Sequence, residues 1–124
     1  MNNKTIMVVE DNEINMKLVR SLLALGKFNI IEAVDAETGL ELAQEKQPDL
    51  ILMDVQLPGM DGLEATSRLK ANPSTKHIPV IALTSYAMDA DKEKAQEVGC
   101  DGYIIKPIDT RTFLEEIEKF LKKP

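Results

Sequence analysis

The sequence has one cysteine, no long hydrophobic run and no excess of positive charge, and each absence removes a class of protein. With Cys100 alone no intramolecular disulfide can form, which excludes the stapled scaffolds of small secreted proteins. Cys100 itself, within Val98-Gly99-Cys100-Asp101-Gly102, reads as a small residue in a turn. No apolar stretch approaches the roughly 20 residues that span a bilayer, and the N-terminal run reaches Glu10 and Asp11 too early for a signal peptide, so a cytoplasmic location is expected. The formal net charge of −6 would repel nucleic-acid phosphates and anionic headgroups, so neither nucleic acid nor membrane is an expected partner. Lys119, Lys122 and Lys123 read as the basic end of a helix that complements its dipole. No linker, internal repeat or low-complexity tract divides the chain, and 124 residues suit a single domain over 1–124.

What is present is alternation. Apolar runs of strand length fall at 6–9, 30–34, 50–53, 80–83 and 103–105, and segments of helical length lie between them. Residues 15–25 place Met16, Val19, Leu22 and Leu23 on one face, and residues 36–46 do the same with Leu40 and Ala43. Residues 109–122 carry Phe113, Leu114, Ile117, Phe120 and Leu121 at helical spacing. Such alternation calls for βαβ units with right-handed crossovers, hence an α/β domain of about five parallel strands and five helices. Pro48, Asn72-Pro73 and Gly99 punctuate the ends of the helical segments. The segment 89–98 is the weakest of these, because Ala90, Ala95 and Val98 are almost all the apolar content it has to anchor it.

In a parallel sheet the C-terminal ends of all strands meet at one edge, where ligands bind. The residues that close the apolar runs are Glu10 and Asp11, Asp54, Thr84 and Lys106, and this topology makes them neighbours. Three carboxylates in one crevice repel one another and resist desolvation, a conflict that a hard divalent cation removes. Mg²⁺ suits best, since it takes one or two carboxylates, keeps waters and completes its octahedron with phosphate oxygens. Lys106 adds a compact positive charge and Thr84 a hydroxyl donor, so the set fits a phosphoryl group. Taken singly, Asp54 could be a turn former, Lys106 a solvated charge beside Pro107, and Glu10, Asp11 or Asn12 a helix cap.

These motifs resemble the receiver domain of two-component response regulators. They are Val8-Val9-Glu10-Asp11-Asn12, then Leu52-Met53-Asp54-Val55-Gln56-Leu57-Pro58-Gly59-Met60-Asp61-Gly62, Ala82-Leu83-Thr84-Ser85, and Gly102-Tyr103-Ile104-Ile105-Lys106-Pro107. The resemblance implies a flavodoxin-like (βα)5 three-layer sandwich with strand order 2-1-3-4-5. It implies Asp54 as phosphoacceptor from a phosphohistidine on a sensor histidine kinase or histidine phosphotransfer protein. By the same resemblance Asp11, Asp54 and the Gln56 backbone carbonyl hold Mg²⁺, Glu10 acts through a water, and Lys106 and Thr84 receive phosphoryl oxygens. The resemblance further implies that Thr84 and Tyr103 form the switch that reshapes the surface of the fourth helix, fifth strand and fifth helix for a downstream protein target, and that Lys106-Pro107 is cis. The domain assists its own phosphorylation and dephosphorylation and is otherwise no enzyme. Ser85 stands where alanine is usual, and Tyr86, two residues beyond Thr84, is expected to lengthen the phosphoryl lifetime.

Rival readings fit less well. A haloacid-dehalogenase-type phosphatase needs a second acid where Gln56 stands, and it carries its nucleophile on the first strand. A flavodoxin-like carrier needs a hydroxyl- and glycine-rich loop where Glu10-Asp11-Asn12-Glu13 would repel the flavin phosphate. No Walker A pattern occurs, and the acidic run 89–94 lacks the glycine of an EF-hand loop. The alternative that survives is a receiver that docks to proteins without being phosphorylated, against which the full set of Asp54, Thr84 and Lys106 argues. His77, the sole histidine, lies in a loop by composition, so the phosphohistidine belongs to another protein. Were Pro124 the natural end, output would come through protein contact. The stretch from Glu10 to Leu18 is similar to single-domain DivK-type receivers and to those of hybrid kinases.

Overall fold

The computed structural model describes residues 4–57, 59–85 and 89–121. Five strands, β1 (Thr5–Val9), β2 (Asn29–Ala33), β3 (Leu50–Asp54), β4 (Val80–Thr84) and β5 (Gly102–Ile105), form one parallel sheet in the order β2-β1-β3-β4-β5. Between and after them run α1 (Glu13–Leu25), α2 (Ala36–Lys46), α3 (Gly62–Ala71), α4 (Asp89–Glu97) and α5 (Phe113–Leu121). This is the flavodoxin-like order and the alternating chain expected from the sequence. No described helix is long and apolar enough to cross a membrane.

Side-chain alternation along the strands divides the core into two layers. Ile6, Val8, Leu50, Leu52, Ile81, Leu83 and Ile104 face α1 and α5, where Met16, Val19, Leu23, Phe113 and Ile117 meet them. Met7, Val9, Ile51, Met53 and Val80 face α2 and α3, where Ala36, Ala43, Ala65 and Leu69 close the other side. The central strands β3 and β4 are buried at every position, as covering on both faces requires.

Helix starts are fixed by short polar side chains. Asn12, Asp35 and Asp61 accept the backbone N–H groups of Asn15, Thr38 and Glu64 at 3.0, 2.7 and 2.8 Å. Asn12 is thus the cap of α1, so Glu10 and Asp11 have no capping duty. Several boundaries differ from the sequence reading, and α1 begins at Glu13 rather than at 15 because Asn12 caps it. β2 begins at Asn29 and ends at Ala33, because pairing with β1 sets its register from Thr5↔Asn29, and Val34 is left 60% exposed. α5 begins at Phe113, since Asp109 folds back as a turn whose carboxylate accepts the Arg111 N–H at 3.0 Å.

At the N-terminal edge of the sheet, acids serve the backbone. Asp49 Oδ2 accepts the Thr5 N–H and Asp101 Oδ2 accepts the Val80 N–H, each at 2.8 Å. Lys70 reaches over from α3 to Asp101 at 3.0 Å and to the Ile78 carbonyl at 2.8 Å. His77 lies exposed in the turn just before β4, at this same edge.

Candidate functional site

At the opposite edge, the chain leaving β1, β3 and β5 delivers one acid, another acid and a lysine. Lys106 Nζ lies 2.9 Å from Glu10 Oε1 and 3.1 Å from Asp54 Oδ2, so a single ammonium bridges two buried carboxylates. The second oxygen of each acid takes a backbone donor: Glu10 Oε2 from Asn12 N–H at 3.3 Å, and Asp54 Oδ1 from Gln56 N–H at 3.0 Å. Asp11 stands exposed beside them, and carboxylate oxygens of Glu10, Asp11 and Asp54 all lie within 4.8 Å of one another.

Crowding raises the proton affinity of both Glu10 and Lys106. Burial pushes the Glu10 carboxyl up from its ordinary range and the neighbouring Asp54 adds to this, while Lys106 and the Asn12 amide offset only part. Burial opposes charge on Lys106 as well, but its hydrogen bond to Glu10 and the charges of Asp54 and Glu10 outweigh that and hold the ammonium above the ordinary lysine range. Three carboxylates around one ammonium leave negative charge in excess, and all the ligand atoms are oxygens. That donor set fits a hard divalent cation such as Mg²⁺, with the exposed Asp11 on the solvent side.

Thr84 ends β4 next to this cluster, and the Lys106 N–H donates to its carbonyl at 2.7 Å, which ties the lysine's backbone to the threonine's strand. The peptide bond Lys106-Pro107 is cis, as the sequence reading anticipates. Tyr103 is not at the edge: it pairs with Ala82, two positions below the Thr84↔Ile105 pair, and is half-buried. Alternation puts Thr84 and Tyr103 on the same face of the sheet, the face of α2 and α3. Gln56 follows Asp54 in an exposed position, and Ser85 is exposed too. Tyr86 and Pro58 lie outside the described residues. The sequence reading missed Gly62. It looks like loop punctuation, yet it is the buried first residue of α3, packed against the backbone of Asp54.

A family model described as the response regulator receiver domain matches residues 6–118. The polar-differentiation response regulator DivK of Brucella anthropi is 48% identical over 118 residues, which cover 95% of this chain and 96% of that protein. DivK of Brucella ovis is likewise 48% identical over 118 residues. Among solved structures, the receiver domain of a sensor histidine kinase from Pseudomonas aeruginosa has a magnesium ion coordinated in its active-site cleft. It matches this fold with a TM-score of 0.90 at 27% identity, over 98% of this chain and 100% of its own. A CheY-like receiver domain protein from Methanospirillum hungatei matches with a TM-score of 0.88 at 27% identity, over 97% of this chain and 94% of its own.

Proposed function

Because the chain belongs to the response regulator receiver domain family, we propose that its whole length, 1–124, is one receiver domain in which Asp54 accepts a phosphoryl group from a phosphohistidine. The observation that carries this is the convergence of Glu10, Asp11, Asp54 and Lys106 from three strand ends onto one point. A carboxylate oxygen of Asp54 attacks phosphorus, a P–O bond forms, and the P–N bond to the donor imidazole breaks with its electrons returning to the ring. Gln56 N–H steadies the carboxylate. Lys106 transfers its grip from Asp54 to the incoming phosphoryl oxygens, and the Thr84 hydroxyl donates to another of them. Held by Asp11, Asp54 and the Gln56 carbonyl, with Glu10 acting through a water, Mg²⁺ would neutralise charge on the transferring group. The protein's own share is positioning, which is why side chains from four strand ends are needed.

The donor is a sensor histidine kinase or a histidine phosphotransfer protein, since His77 sits at the far edge of the sheet. The new dianionic group draws Thr84 inward, Tyr103 follows on the same face, and the α4-β5-α5 surface changes shape for a downstream protein target. The domain works in the cytoplasm and binds neither nucleic acid nor membrane. The bulk of the residue two beyond Thr84 is expected to lengthen the phosphoryl lifetime, so Tyr86→Ala should speed decay of the aspartyl phosphate.

The test is intact-protein mass after incubation with acetyl phosphate and Mg²⁺, beside Asp54→Asn and a sample with chelator. A gain of one phosphoryl group only in metal-containing wild type is the expected result. No gain from acetyl phosphate or from any phosphohistidine donor would favour the receiver that signals by docking alone.

A further inference from the structure

Gly62 opens α3, yet its backbone does not ask for glycine. Among the described residues the glycines with left-handed φ are Gly59 at 73° and Gly99 at 97°. Gly62 is not one of them, and alanine in its place would ordinarily favour the helix. Space supplies the reason. A Cβ on Gly62 would overlap the carbonyl oxygen of Asp54 and lie 2.8 Å from its carbonyl carbon and 2.9 Å from the Val55 Cα, all backbone atoms that cannot swing aside. The Gly62 N–H donates to the Val55 carbonyl at 3.1 Å, and the Gly62 carbonyl accepts the hydroxyl of fully buried Thr66 at 2.8 Å. The first turn of α3 therefore rests directly on the peptide that follows Asp54.

We infer that Gly62 and Thr66 are positioning residues for Asp54, their contact setting where its carboxylate stands between Gln56 N–H and Lys106 Nζ. This rests on the reading of Asp54 as phosphoacceptor. The two sides of the contact yield unequally. The first turns of α3 are clamped by the buried Ala65 and by the Asp61 cap, whereas the chain beyond Asp54 passes through half-buried Val55 to exposed Gln56. An added methyl group displaces the strand end rather than the helix. A displacement of about 1 Å breaks the contacts that hold the carboxylate, and misplacement of that size slows transfer roughly tenfold or more.

The experiment compares wild type with Gly62→Ala, Thr66→Val, Thr66→Ser and Leu69→Ala. The last destabilises the same helix away from the Asp54 peptide. Three quantities are read: thermal midpoint, the Gln56 amide proton resonance in metal-free protein, and the rate of phosphoryl gain from acetyl phosphate with Mg²⁺. Gly62→Ala should lose roughly tenfold or more in rate and shift the Gln56 resonance, with Thr66→Val moving both less in the same direction and Thr66→Ser restoring them. Leu69→Ala should melt lower while keeping the wild-type rate and resonance. Gly62→Ala with wild-type rate and resonance overturns the inference, as does Leu69→Ala matching its losses. If Gly62→Ala does not fold, Thr66→Val against Thr66→Ser decides by the same two readouts. A wild type that gains no phosphoryl group overturns the phosphoacceptor reading instead, and the Gln56 resonance still decides whether Gly62 positions Asp54.

Discussion

Lys106 stands in a position that makes its two duties separable. Without metal it is the counter-charge for Glu10 and Asp54, and in the proposed reaction it turns to the transferred oxygens. Lys106→Met should therefore lower metal-free stability by about 3 kcal/mol, because two buried carboxylates lose their partner. The same change should tighten divalent binding, since a competing cation is gone, yet slow phosphorylation roughly a hundredfold. Chemical denaturation, calorimetric titration with Mg²⁺ and intact-mass kinetics check the three signs, and weaker Mg²⁺ binding would contradict the account. Arg20 and Glu32 offer a contrasting pair at the surface, with Nε–Oε2 at 2.6 Å and a second contact at 2.8 Å that joins α1 to β2. The hydrogen bond to Arg20 holds the Glu32 carboxyl below its ordinary range. A depressed carboxyl stabilises the fold above its unfolded value and loses that contribution as pH falls through the folded one. Glu32→Gln should accordingly melt slightly lower than wild type at pH 7 and by less at pH 3, with a smaller gap in high salt. Thermal melts at the two pH values would show this.

At the scale of elements, the helices differ in how firmly they are held. α5 buries Phe113 and Ile117 completely, and Phe113→Ala should cost about 3–5 kcal/mol in denaturant unfolding. α4 has the poorest apolar content, and Ala95 is the buried anchor among its described side chains. Its amides should exchange faster than those of α1 and α5, and beryllofluoride with Mg²⁺ should change their protection, as mass spectrometry of exchanged peptides can test. Equal exchange with and without the phosphoryl mimic would remove α4 from the signalling path. What the sequence shows of these elements follows from how local their causes are. The apolar faces of α1 and α2 are legible because every interacting residue lies within one or two turns, whereas Asn12 is one of three candidate caps until the structure selects it. The exact span of β2 is not, because the partner strand decides it. The meeting of Glu10 and Lys106, 96 positions apart, becomes visible only through the rule that parallel strands end together. Gly62 stays hidden altogether, since the atom it must clear belongs to Asp54 and comes close only when α3 packs down.

For the molecule as a whole, the two edges of the sheet carry acids with opposite roles. Asp49 and Asp101 are matched by backbone donors, and Asp101 by Lys70 as well, so they hold the fold, whereas Glu10, Asp11 and Asp54 form a group that could hold a cation. Mg²⁺ at about 100 times its Kd should add about 2.7 kcal/mol of stability, on the order of 10 °C in thermal midpoint for a chain of this size. Asp11→Asn should shrink that shift, while Asp49→Asn should lower the midpoint with and without Mg²⁺ and leave the shift unchanged. Scanning fluorimetry with Mg²⁺ and with chelator separates the two edges in one experiment.

The strand order has a mechanical corollary. β3 is the third of five strands and is clasped by β1 on one side and β4 on the other. A beam fixed along both sides does not bow along its length, so on the phosphoacceptor reading the body of β3 beneath Asp54 serves as an anvil, and the recoil must travel elsewhere. The compliant direction runs outward through Thr84 to β5, which is tied to the sheet along one side only. On that reading news of the reaction leaves by the margin of the molecule, while the strand beneath the struck residue stays still.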